Sequence, residues 1–171
     1  MTHPFRRTPL LILCLLVGVL CHAQSSSSSA NQQKEIGLTK HAAGPFDVKI
    51  TPEPLADKSA DASLGRMSID KQYHGDLEAT ARGEMLTAST TVKGSGVYVA
   101  VERVTGTLQG RKGSFALHHT GIMTRNTPEL KISVVPDSGT DQLVGITGTM
   151  SIKIDNGKHS YEFDYTLPES Q

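Results

Sequence analysis

Ile146-Thr-Gly-Thr-Met-Ser-Ile-Lys-Ile-Asp-Asn-Gly-Lys-His-Ser-Tyr-Glu-Phe-Asp-Tyr-Thr-Leu167 is the stretch on which the fold turns. Met150, Ile152 and Ile154 alternate with Ser151, Lys153 and Asp155, so a strand here has one apolar face and one polar face. Asn156-Gly157 then offers two residues that tolerate positive φ, as a tight primed hairpin turn requires. On the return, His159, Tyr161, Phe163, Tyr165 and Leu167 share one face, opposite Ser160, Glu162, Asp164 and Thr166. The pattern specifies a β-hairpin, and it sets a histidine in line with an aromatic face.

Similar alternations run backwards from the hairpin. Leu130, Ile132 and Val134 precede the turn signal Pro136-Asp-Ser-Gly139. Val97 to Val104 and Phe115 to Met123 are strands of mixed pattern around an expected Gly110-Arg-Lys-Gly113 turn. Leu77, Ala79, Ala81 and Met85 oppose Asp76, Glu78, Thr80, Arg82 and Glu84, while Met67, Ile69 and Tyr73 oppose Arg66, Ser68, Asp70 and Gln72. Phe46-Val48-Ile50 is the first such run, ending at Pro52-Glu-Pro54. A helical turn is expected only over Lys58 to Leu64. The count reaches about eight short antiparallel strands, so the fold class is all-β. Closing the sheet on itself removes its exposed edges, and eight strands enclose a space that side chains fill or one small ligand occupies.

The N-terminus reads differently. Arg6 and Arg7 precede an apolar run from Leu10 to Leu20, and Cys21-His22-Ala23 suits cleavage ahead of Gln24. Residues 1–23 therefore have the layout of a cleaved secretory signal, which predicts a periplasmic or secreted protein. Bulky Leu20 disfavours a lipid anchor at Cys21, and the leucine-rich core with Pro9 disfavours a twin-arginine signal. Cleavage removes Cys14 and Cys21, the chain's two cysteines, leaving neither disulfide nor thiol chemistry. Removing Arg6 and Arg7 from 17 basic and 17 acidic residues leaves a formal charge of −2. With its cations scattered, the chain gives no electrostatic case for nucleic acid or for an anionic membrane. Ser25 to Ser29 begin a polar tether over 24–43, a domain is expected over 44–167, and 168–171 form a tail.

Several phrases resemble a known family: Leu64-Gly-Arg-Met-Ser-Ile-Asp-Lys-Gln-Tyr-His-Gly-Asp-Leu-Glu78, Arg82-Gly-Glu-Met-Leu86, Tyr98-Val-Ala-Val-Glu-Arg-Val-Thr-Gly-Thr-Leu108, Gly113-Ser-Phe-Ala-Leu-His-His-Thr-Gly121 and Gly157-Lys-His-Ser-Tyr161. In wording and order they are similar to the bacterial domain-of-unknown-function family 3224, over roughly Gly44 to Leu167. The resemblance implies a single closed antiparallel barrel of the allene oxide cyclase type. It carries no established activity, and members usually lack an export signal, so residues 1–43 depart from the common pattern.

Candidate chemistry is sparse. Five histidines lie beyond the signal: His41, His74, His118, His119 and His159. Adjacent His118 and His119 point to opposite faces of a strand, and no His-x-His pair occurs, so no metal and no cofactor is expected. His119 shares parity with Phe115, Leu117 and Met123, and His159 with Tyr161, Phe163 and Tyr165. The plainer reading makes both of them core histidines with satisfied rings. The sharper one has His119, His159 and Tyr161 lining a cavity with Glu102 or Arg103, the strand parity leaving open which of these two charges faces in. Opposite charges among Glu78, Arg82, Glu84, Glu102 and Arg103 are otherwise expected as solvated cross-strand pairs. Val134-Val-Pro-Asp-Ser-Gly-Thr140 mimics an aspartic-protease turn but has no second loop to share a proton with, and Gly94-Ser-Gly96 has no helix to form a nucleophile elbow.

Three functions fit. The first is an exported, non-catalytic module that binds a small apolar or aromatic ligand inside the barrel. The second is a filled-core barrel acting through its surface, a homo-oligomer included. The third, by fold analogy alone, is an isomerase or cyclase of a small lipophilic substrate. The balance leans away from an enzyme.

Overall fold

A computed structural model of the protein describes residues 37–56 and 63–168. The expected secretory signal, the tether as far as position 36, most of the expected Lys58–Leu64 turn and the last three residues lie outside this range. Eight strands occupy the described residues: β1 (Lys40–Glu53), β2 (Leu64–Tyr73), β3 (Leu77–Ser89), β4 (Gly96–Leu108), β5 (Arg111–Thr124), β6 (Thr127–Val134), β7 (Thr147–Asp155) and β8 (Lys158–Thr166). Each pairs antiparallel with its sequence neighbour, and β1 closes on β8, which makes a complete barrel.

Closure explains why the barrel begins at Lys40 rather than near Gly44. A barrel's register is staggered, so one strand bonds different neighbours along its length. In β1, Phe46–Glu53 pairs with β2, whereas Lys40–Phe46 pairs with β8. His41, expected in the tether, is accordingly a strand residue, with Nδ1 2.7 Å from Asp164 Oδ1. Ala42 is fully buried.

The hairpin turns follow backbone chirality. Asn156 and Gly157 sit at φ 50° and 78°, and Asp155 pairs with Lys158 across them, as the sequence requires. The β4–β5 turn falls at Gln109-Gly110 instead of Gly110–Gly113. Those two residues adopt φ 45° and 83°, which closes the loop in two residues and lets Arg111–Gly113 join β5. The β6–β7 connection contains a short 3-10 turn, Asp141–Leu143, that periodicity did not announce. Within this connection, Ser138 donates its hydroxyl to Val135 O and accepts from Ala116 N–H, so Pro136–Gly139 is a structural turn.

Inward-facing residues fill one end of the barrel and leave the other open. Phe115 stacks on Phe163, and Phe163 on Tyr165, with ring centres 5.6 and 5.3 Å apart. Leu77, Leu108, Leu117, Leu143, Ile146 and Leu167 pack around them, and each fully buried side chain of this kind contributes about 1.5–3 kcal/mol. At the opposite end the same inward registers carry Ile50, Leu130 and Ile154, all of them exposed. The core is therefore a plug at one end, and the other end is a mouth.

Candidate ligand site in the barrel lumen

Every strand contributes to a cavity of about 290 Å³ between the plug and the mouth. Phe46, Val48 and Ile50 come from β1, Ile69 and Lys71 from β2, Met85 from β3 and Tyr98 from β4. His119 of β5, Leu130 of β6, Ile152 and Ile154 of β7 and His159 of β8 complete the ring. The wall is thus apolar and aromatic with few polar groups, the make-up of a small-molecule pocket. A cavity of ~150 Å³ already holds benzene, so this one has room for a ring or a medium alkyl chain.

Beneath the cavity lies a buried charge cluster. Lys71 is 5% exposed, Glu102 1% and His119 4%. Glu102 Oε1 accepts three donors: Lys71 Nζ at 2.9 Å, Tyr73 Oη at 3.0 Å and His119 Nε2 at 3.2 Å. Lys71 Nζ also donates to Tyr73 Oη at 3.3 Å. The ammonium lies 5.4 Å from the Phe46 ring centre and 5.6 Å from that of Tyr73, close enough for cation–π attraction. Isolated charges this deep would be prohibitively costly, so pairing is what permits them.

The cluster also decides protonation. Burial pushes the Glu102 carboxyl upward, but the His119 hydrogen bond and the positive charge of Lys71 outweigh it, leaving its pKa below the ordinary glutamate value. Burial drives the Tyr73 hydroxyl well above the ordinary phenol value, and the neighbouring Glu102 charge adds to this. Tyr73 therefore remains a neutral donor to a carboxylate. Glu102 Oε2 has no hydrogen-bond partner among the described residues, and stability alone gives no reason for such an orphaned acceptor.

Of the residues singled out from the sequence, His119 and His159 line the cavity, and Glu102 lies directly beneath it. Tyr161 also faces inward, but away from the cavity. Its hydroxyl accepts from Leu77 N–H at 2.8 Å and donates to His74 O at 3.1 Å, tying the β2–β3 turn to β8. Arg103 points outward, donating to Ser114 Oγ and Ser138 O, because β4 alternates and Glu102 takes the inner position.

Lys71 is a charged cavity residue that the strand pattern did not single out. It occupies the same inward register as Met67, Ile69 and Tyr73, so a lysine in an apolar row was the available signal. Tyr98 was quoted only as part of a family phrase. It faces inward opposite Gly121, and a Cβ at Gly121 would strike its ring. The glycine therefore lets that ring lie across the neighbouring strand and form part of the cavity wall.

Fold and site together define a closed eight-stranded antiparallel barrel with a plugged base and a lumenal cavity above buried charges. The particular family follows from comparison with known proteins. A family model described as "Protein of unknown function (DUF3224)" matches residues 42–165, and the chain belongs to that family. A solved structure of a DUF3224 protein of unknown function from Shewanella oneidensis MR-1 is similar at 48% identity, with a TM-score of 0.73. The match covers 78% of this chain and 100% of that one. No curated protein matches the chain.

Proposed function

We propose that this protein is an exported, non-catalytic binding module that holds a small apolar or aromatic ligand in its barrel lumen. The observation that carries the proposal is the apolar cavity of about 290 Å³ to which all eight strands contribute. The cavity opens between the exposed Ile50, Leu130 and Ile154, so its apolar wall stays in contact with water unless a ligand covers it. The orphaned Glu102 oxygen points the same way, because local violations of packing and pairing gather at functional sites. Export rests on Arg6-Arg7, the Leu10–Leu20 run and Cys21-His22-Ala23.

Binding of a fluorescent hydrophobic dye to the mature protein, repeated after Val48→Trp, tests the reading. Val48 lines the cavity, and the larger ring should occupy it. Loss of dye binding with a raised melting temperature is the expected outcome. Unchanged dye binding in a folded Val48→Trp protein would refute a lumenal site.

A second reading, in which the barrel acts through its surface, is favoured by an apolar strip on the outer wall. Leu86, Val97, Val99 and Val101 are all exposed there, Val101 by 57%. Light scattering discriminates, because surface action by self-association requires more than a monomer.

A further inference from the structure

Resting on the lumenal-binding reading, the arrangement of charges names the ligand's head group. We infer that the cavity takes an apolar molecule ending in a carboxylate, seated on Lys71 beside His119 with its body toward the mouth.

The two ends of the buried ion pair are not equally accessible. Lys71 and His119 line the cavity, whereas Glu102 does not, and its side chain has no exposed surface. A ligand entering from the mouth meets the cationic side of the pair and is separated from the anionic side. Lys71 carries three ammonium protons, and Glu102 Oε1 and Tyr73 Oη accept two of them. The third has no acceptor among the described residues. His119 donates to Glu102 through Nε2. Its Nδ1, without a hydrogen-bond partner among the described residues, donates to a ligand only when the ring is protonated, so the third Lys71 proton is the donor that seats the head group.

These two groups are neighbours, because both contact the same carboxylate oxygen. They converge on the floor of a cavity whose remaining wall is largely hydrocarbon. The complement is a molecule with one terminal oxygen-acceptor group and an apolar body. An anionic head fits better than a neutral one, because a buried ammonium strengthens its bond to a charged acceptor. An amine head would meet Lys71 directly, with Glu102 out of reach beneath it. His159, also in the cavity wall and tilted against Phe46 with ring centres 5.2 Å apart, adds a further imidazole to the lining.

Calorimetric titration of the mature protein with octanoate, octanol and octylamine reads the head group, since the three share one alkyl chain. Octanoate should bind about tenfold or more tightly than octanol, the difference expected of one charge-assisted hydrogen bond, and octylamine should bind more weakly than either. Two substitutions shift this preference in opposite directions. Lys71→Met removes the cation and should erase the advantage of octanoate. Glu102→Gln removes the compensating anion but keeps the ammonium, so it should enlarge that advantage. A merely structural role for the cluster would weaken all ligands together in both variants. Should Lys71→Met fail to fold, the Glu102→Gln result and the wild-type ranking carry the test.

Equal affinity for octanoate and octanol, or a preference for octylamine, overturns the head-group assignment while leaving lumenal binding in place. So does dye binding without binding of any octyl compound. Failure of the dye and of all three octyl compounds overturns the lumenal site itself.

Discussion

Lys71 Nζ lies 2.9 Å from Glu102 Oε1, joining β2 to β4 across the barrel interior. The intervening strand β3 places Gly83 directly opposite Glu102, where a Cβ would collide with the Glu102 backbone. A lysine and a glutamate from non-adjacent strands can therefore meet inside the barrel without a side chain between them.

Breaking this pair should cost more than replacing it. Lys71→Met alone leaves a buried carboxylate without its cation and is expected to destabilise by about 3–5 kcal/mol. Lys71→Met with Glu102→Leu removes both charges and should recover most of that loss. Urea unfolding of the two singles and the double provides the measurement. A double as unstable as the sum of the singles would mean that the pair makes no coupled contribution.

Acid should act through the same carboxyl. The folded-state pKa of Glu102 is lowered, so between that value and about 4.3, the ordinary glutamate value, the unfolded chain binds the extra proton. The stabilisation is present above about pH 4.3 and disappears as pH falls through the folded-state value. Glu102→Gln should flatten this part of the stability-versus-pH curve, as followed by circular dichroism of urea melts. An unaltered acid limb in the variant would assign the acid sensitivity to other carboxylates.

Gly121 governs the position of Tyr98. Gly121→Val places a side chain where the Tyr98 ring lies, and such overpacking costs about 1–3 kcal/mol. The displaced ring should also alter the cavity and reduce dye binding. Combining Gly121→Val with Tyr98→Ala removes the collision, so the double should be more stable than Gly121→Val alone. Thermal melts of the three variants check the rescue.

Tyr161→Phe should separate structure from binding. The substitution leaves the buried Leu77 N–H and His74 C=O without their shared hydroxyl, a loss of about 1–3 kcal/mol. Ligand affinity should be unchanged, since Tyr161 is not part of the cavity wall. A fall in dye affinity equal to that of a lumenal variant would return Tyr161 to the site.

The barrel was readable because its signals are local. Alternation gives the inner and outer faces, and Asn156-Gly157 gives the last turn. Strand limits were less readable. Lys40–Ala43 carries little apolar pattern, and it is a strand because β8 offers it a hydrogen-bonded edge. Part of the site was equally legible: His119 and His159 followed from parity with their aromatic neighbours. Glu102 and Arg103 were not separable, because Val97 to Val104 is apolar on both faces. The outer valines stay exposed, so hydrophobicity could not say which face was inside.

Sequence alone determined an all-β chain, its hairpin order and the family to which it belongs, since these depend on neighbouring residues and on recurring phrases. Tertiary structure alone decided that Lys71, Tyr73, Glu102 and His119 meet, and that Arg103 and Tyr161 stand apart from the cavity. The reason is geometric. Parity sorts residues between two faces of a strand, but height along the lumen depends on the stagger of all eight strands, which is set only when β1 closes on β8.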